Sequence, residues 1–138
     1  VLHGYVSHVE SIGLMRSADL LFLPMQKLPS GRRSSTVPGK TYEYLASGRP
    51  ILGAVPPGDA RDLLERLGHD VCAPDDVEAM VESIAAAVAR HDSDSTRPLA
   101  QELVAEFERR VLARTLAEVL HGVSDVRARA AVPAASRA

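Results

Sequence analysis

Gly39, Lys40 and Glu43 stand together near the middle of the chain, preceded by Ser34, Ser35, Thr36, Val37 and Pro38. If a helix starts near Gly39, its first turn offers unpaired N–H groups and the positive end of the dipole, which favours an anion. That effect is worth only about 0.3–1 kcal/mol per exposed charge. A cation has to help, and Lys40, Arg32 and Arg33 are the candidates. Gly39 allows close approach of the backbone to a phosphate. The hydroxyls of Ser34, Ser35 and Thr36 add donors. Glu43 follows Lys40 at i+3, on the same helix face. A carboxylate there is placed to accept two hydrogen bonds from a ribose diol. The set suggests a nucleoside diphosphate, with cation and dipole for the phosphates and carboxylate for the ribose. The same spacing equally suits a solvent-exposed helix ion pair worth about 0.2–0.5 kcal/mol. Arg32 and Arg33 equally suit ordinary loop charges.

Other chemistry is weaker. Residues 34–41 fall one position short of the phosphate-loop pattern G-x-x-x-x-G-K-[ST], with Ser34 in place of the first glycine. Pro38 removes an amide from the would-be cradle, and the strand at 51–55 runs into Pro56, without the aspartate that would hold magnesium. Tyr5 and Val6, at the end of a first apolar run, suit contact with a base, and equally suit core or rim. His3, His8, His69, His91 and His121 show no metal-ligand spacing. Cys72 reads as a small buried hydrophobe, and Asp75–Asp76 as a helix cap. G-x-S-x-G and G-x-G-x-x-G do not occur.

These residues need elements to hold them. The chain has 138 residues, 46% hydrophobic and 25% charged, with net charge −2. That suits one soluble domain with a real core. It gives no basic footprint for nucleic acid. A single cysteine excludes an internal disulfide and is consistent with the cytoplasm. No run approaches the roughly 18 apolar residues of a membrane span, so no membrane contact is indicated. No secretory signal is visible. The chain opens on Val1 inside or beside a strand, which points to a piece of a longer protein.

Short apolar runs alternate with helical segments. Strands are expected at residues 1–6, 20–23, 51–55 and 70–73. Ser7 and Glu10 form a capping box for a helix to about Ser17, with Val9, Ile12 and Met15 at helical spacing. The polar stretch 25–38 is long enough to be functional. Helix is expected from Gly39 to Ser47, ended by Gly48, and from Asp59, as cap, to Leu67. Asp75 and Glu78 repeat the capping box for a helix to Arg90. Its apolar stripe is Val77, Met80, Val81, Ile84, Ala85 and Val88. A further helix is expected from Pro98 to Leu120, bent near Phe107 and stopped by Gly122. Residues 1–122 then form one domain, and 123–138 a loose Ala/Arg-rich tail. The alternation predicts an α/β fold, a Rossmann-like parallel sheet with helices on both faces. Ligands in such sheets bind at the carboxyl ends of the strands, here centred on the loop after Leu23.

Residues 38–52, PGKTYEYLASGRPIL, resemble the donor-site helix of GT-B glycosyltransferases of the family 4 type, with a pattern of roughly K-x-x-E-Y-x-A-x-G-[KR]-P-[VI]. Gly4-Tyr5-Val6 and residues 17–24 match the strand, helix and strand before it, and Cys72 to Pro74 fits downstream. The resemblance covers about residues 1–120. It implies the incomplete C-terminal half of a GT-B fold, which binds a nucleotide-diphosphate sugar as co-substrate, with no cofactor and no metal. Glu43 would hold the ribose and Lys40 would lie near the diphosphate, with Gly39 at the helix start. Many relatives carry a first glutamate in an E-x7-E arrangement. Ser35 stands at that position here, as in relatives with a serine/proline–lysine loop. Ser35, Thr36 and Val37 would then line the sugar pocket. The implied reaction transfers the sugar to an acceptor hydroxyl with retained anomeric configuration. The basic pair that neutralises the leaving diphosphate, and the N-terminal acceptor domain, would lie upstream of Val1, so the chain alone is expected to be inactive. A non-enzymatic interaction module and a phosphate-loop nucleotide-binding protein are the alternatives.

Overall fold

The computed structural model describes residues 4–92 and 104–130. The chain folds as two compact units, residues 1–104 and 105–138. In the first, helix α1 (His8–Ser17) leads to strand β1 (Leu21–Pro24), then α2 (Gly39–Ser47), β2 (Ile51–Ala54), α3 (Asp59–Arg66), β3 (Asp70–Cys72) and α4 (Val77–Asp92). The second unit has a 3-10 turn at Ala105–Phe107 and a helix, α5, at Arg109–Ala130.

The sheet is parallel in the order β1-β2-β3, with Leu21 opposite Ile51 and Ala54 opposite Cys72. All four residues of the central strand are buried, as a strand covered on both faces requires. Successive side chains alternate between faces. On one face Leu52, Ala54 and Cys72 pack with Leu20 and with Ala79 and Met80 of α4. On the other, Gly53 leaves room for Leu64 of α3, whose Cδ1 stands only 2.5 Å from where a Cβ would be. Helices therefore flank both faces, as expected of this class. The Ile51 N–H donates to Nδ1 of the buried His69 at 3.3 Å, pinning the start of β2 to the turn before β3. The Arg49 Nε donates to the Arg16 carbonyl at the end of α1 at 2.7 Å.

Several expectations are corrected. Residues 4–6 are not strand, and 1–3 lie outside the described residues, so the sheet described has three strands rather than four. The capping box of α1 forms as read, yet α1 buries no residue and its Val9 is exposed. Gly58, not Asp59, occupies the cap position of α3. At α4 the cap is Asp76, whose Oδ1 accepts from the Ala79 N–H at 3.0 Å. Asp75 pairs with Lys27 instead. Of the α4 stripe, Met80 packs on the sheet while Val77, Val81, Ile84 and Val88 stay exposed. The bend near Phe107 is present as the 3-10 turn. The helix after it does not stop at Gly122 but runs to Ala130, so residues 123–130 are helical and not a loose tail. Its backbone hydrogen bonds carry one glycine at a cost of about 1 kcal/mol against alanine. The expected helix start at Pro98 and the end of the tail, 131–138, lie outside the described residues.

Candidate functional site

The chain leaves β1 at the carboxyl edge of the sheet, where the Met25 N–H still donates to the Ala54 carbonyl at 2.9 Å. It then makes an excursion and is fastened three times. Lys27 Nζ contacts Asp75 Oδ2 at 2.5 Å, tying the loop to the segment after β3. Arg33 Nη2 contacts Asp62 Oδ2 on α3 at 2.6 Å. Ser34 forms a parallel bridge with Gly58. The Ser34 N–H donates to the Pro57 carbonyl at 2.8 Å, and the Ser34 carbonyl accepts from the Asp59 N–H at 2.9 Å. A loop with its ends held in this way is a compact surface element, not a free tether.

Beyond the bridge, the Ser34 hydroxyl accepts from the Thr36 N–H at 3.1 Å and turns the chain toward α2. Ser35 and Thr36 are exposed, and Val37 and Pro38 are half-buried. Pro38 occupies the cap position of α2 in an extended conformation and contributes no side-chain hydrogen bond. The Thr41 N–H turns back to the Pro38 carbonyl at 2.9 Å. Thr41 and Leu45, one turn apart, are buried and anchor the helix. The Thr41 hydroxyl oxygen is buried with no hydrogen-bond partner. Gly39, Lys40 and Glu43 are exposed. The described residues show no ion pair to Lys40, Arg32 or Glu43, so the helix-pair reading of Lys40 and Glu43 is not what the structure adopts.

The starts of the four helices in this unit differ. Ser7 and Glu10 close the start of α1 on itself. Asp76 closes α4. The first N–H of α3, that of Asp59, is taken by the Ser34 carbonyl. Among the described residues, the start of α2 has neither a side-chain cap nor an acceptor from another segment. Its first two N–H groups, those of Gly39 and Lys40, have no protein acceptor among the described residues. Charge around the loop is partly neutralised. The hydrogen bond from Lys27 holds the Asp75 carboxyl below its ordinary range. Arg32 and Lys40 are the cations of this segment with no ion-pair partner among the described residues.

Ser35, Thr36, Val37, Gly39, Lys40 and Glu43 thus belong to one continuous stretch at the carboxyl edge of the sheet. Tyr5 and Val6 do not join it by any hydrogen bond. They lie in the irregular segment before α1, with Tyr5 fully exposed. No reading of the sequence singled out the Ser34–Gly58 bridge, the Lys27–Asp75 pair or the buried Thr41. The first two join residues far apart in the chain, and no local pattern announces them. Thr41 had a local signal, since it lies four residues before Leu45 on the buried stripe. The phosphate-loop reading is weakened. Residues 25–38 make no tight strand–loop–helix, and neither β2 nor β3 ends on an aspartate. Among the described residues no group of three His, Cys, Asp or Glu is placed to hold a metal, and no helix is long and apolar enough to cross a membrane. Comparison with family models, curated proteins and solved structures gave no match.

Proposed function

We propose that this chain binds a nucleotide-diphosphate sugar and is the donor-binding half of a GT-B-type glycosyltransferase. The observation that carries the reading is the open start of α2. It stands at the carboxyl edge of a parallel sheet, with two unfilled N–H groups, an unpaired Lys40 and an unpaired, exposed Glu43 on the next turn. A diphosphate would take the N–H groups and Lys40. The Glu43 carboxylate would accept from the ribose hydroxyls. The loop 35–37 would face the sugar. Transfer would leave negative charge on the departing diphosphate while the sugar becomes oxocarbenium-like. The helix start and Lys40 are suited to that charge, and an acceptor-binding partner domain would complete the enzyme.

The test is a titration of the chain with UDP, GDP and their hexose conjugates, read by calorimetry and by thermal shift. Saturable binding is expected, unaffected by EDTA. Glu43→Ala should weaken it about 10- to 100-fold, the equivalent of losing charged hydrogen bonds worth about 1.5–3 kcal/mol. Absence of binding to every nucleotide, or undiminished binding by folded Glu43→Ala, overturns the reading. A requirement for magnesium would favour the phosphate-loop alternative. The interaction-module alternative draws on the exposed row Val77, Val81, Ile84 and Val88 of α4. It predicts no nucleotide response.

A further inference from the structure

We infer that Gly58 is a positioning residue of this site, acting through the backbone of Ser34 to hold residues 35–37 beside the start of α2. What the loop recognises rests on the donor-site reading, but how the loop is held rests on geometry alone. A Cβ at position 58 would stand 2.0 Å from the Ser34 carbonyl oxygen and 2.6 Å from the Ser34 nitrogen. Both are backbone atoms, so no side-chain rotation relieves the clash. Gly58 also has φ of 147°, a conformation that L side chains rarely adopt. The close approach is what lets Ser34 make two hydrogen bonds across Gly58, to Pro57 and from Asp59. Any side chain at 58 therefore pushes Ser34 away. The neighbouring Arg33–Asp62 pair is exposed on both sides, and such pairs hold little on their own.

α2 does not depend on this bridge. It is seated by the buried Thr41 and Leu45 and ended by the left-handed Gly48. The site thus has two separately supported parts, a helix that carries Lys40 and Glu43 and a loop that carries Ser35, Thr36 and Val37. Loss of the bridge frees the loop and spares the helix. On the donor-site reading, it removes recognition of the sugar and leaves recognition of the nucleoside diphosphate.

Two measurements on the 138-residue chain test this. The first is the rate of trypsin cleavage after Arg32, two residues before the bridge, followed by mass. Gly58→Ala should raise it at least about tenfold over the parent under native conditions, because the loop opens locally without global unfolding. Ser34→Pro, which removes the donor to Pro57 without touching position 58, should do the same, and decides the point if Gly58→Ala does not fold. The second is the ratio of affinities for UDP-glucose over UDP and for GDP-mannose over GDP. In Gly58→Ala any preference for the sugar conjugate should vanish, with affinity for the bare diphosphate held within about threefold, well under one 1.4 kcal/mol decade. Folded variants cut no faster than the parent overturn the positioning role. So does a parallel loss of diphosphate and conjugate binding. If the parent binds no nucleotide, the donor-site reading fails, and the cleavage arm still decides whether Gly58 holds the loop.

Discussion

Replacing Thr41 by valine should make the protein more stable. Thr41 has 0% of its surface exposed, and its hydroxyl oxygen is buried without a partner. Burying a hydroxyl without a hydrogen bond costs about 1–3 kcal/mol in protein mutational data. Valine has nearly the same shape, is also β-branched, and has a similar helix propensity. It fills the same buried position and removes the desolvated oxygen. After allowance for imperfect fit, a gain of about 1 kcal/mol is expected, which in a domain of 60–100 residues raises Tm by roughly 4–8 °C. Thr41→Ser is the control. It keeps the hydroxyl and drops the methyl, and should lose about 0.8 kcal/mol or more for the buried carbon. The assay is urea denaturation followed by circular dichroism, with the midpoint compared at unchanged m-value. If Thr41→Val is less stable than the parent, the hydroxyl has a hydrogen-bond partner in the folded chain, and the account given for the base of α2 is wrong.

Gly53→Ala should cost about 1–3 kcal/mol, since the new methyl would stand 2.5 Å from Cδ1 of the fully buried Leu64, which has to leave its position. An unchanged denaturation midpoint would mean that α3 does not cover that face of β2. Ser7→Ala should fray the start of α1, seen as faster exchange of the Glu10 amide, because the Ser7 hydroxyl accepts from it. Asp75→Asn should lower stability at neutral pH and cease to matter in acid. The Lys27 hydrogen bond depresses the folded carboxyl, so its contribution is full above the unfolded value of about 3.9 and fades as pH falls through the lower folded value. The parent and variant midpoints should therefore converge below about pH 4, and a gap that stays constant into stronger acid would refute the Lys27–Asp75 clasp.

The legible parts of the fold are those governed by neighbours in the chain. The Gly48 stop and the Ser7–Glu10 box each act within a few residues and appear where the sequence predicts them, and the apolar run at 20–23 forms a strand one residue later, at Leu21–Pro24. The misread parts turn on competition between distant groups. Asp75 and Asp76 are equally good caps by type; Asp76 caps α4, while Asp75 pairs with Lys27, 48 residues away. Helix periodicity also overstated burial. Val9 in α1 and Val77, Val81, Ile84 and Val88 in α4 lie at correct spacing, yet they stay exposed. Period reports which residues share a face, not whether anything lies against it. Gly122 misled for a related reason. A single glycine costs a helix only about 1 kcal/mol, and α5 continues past it to Ala130. Within the candidate site, the helix start at Gly39, which puts Lys40 and Glu43 on exposed positions of α2, was legible in the sequence. The Ser34–Gly58 bridge was not, because a bare hydrogen on Gly58 carries no signal of what approaches it.

The distribution of charge at the carboxyl edge bears on why α2 is left open. The loop after β1 brings Lys27, Arg32 and Arg33, and α2 adds Lys40. Asp75 and Asp62 pair with one lysine and one arginine, linking the loop to the segments after β3 and β2. Among the described residues Arg32 and Lys40 have no partner, and Lys40 lies in the first turn of α2, the one helix start among α1–α4 for which those residues supply neither a side-chain cap nor an acceptor from another segment. A serine or aspartate in place of Pro38 would have been worth about 0.5–2 kcal/mol to α2 as a cap. It would also have filled an N–H site in the first turn that now faces outward. The chain forgoes that stabilisation at α2 while taking it at α1 through Ser7 and at α4 through Asp76. On the donor-site reading, a helix that forgoes its cap beside Lys40 would regain the lost free energy when an anion occupies the first turn. Binding and local stability are then linked through the same N–H groups. On that reading Pro38→Ser should raise the stability of the free chain and weaken diphosphate binding together. A variant that gains stability while binding as tightly as the parent would show that those groups do not face the ligand.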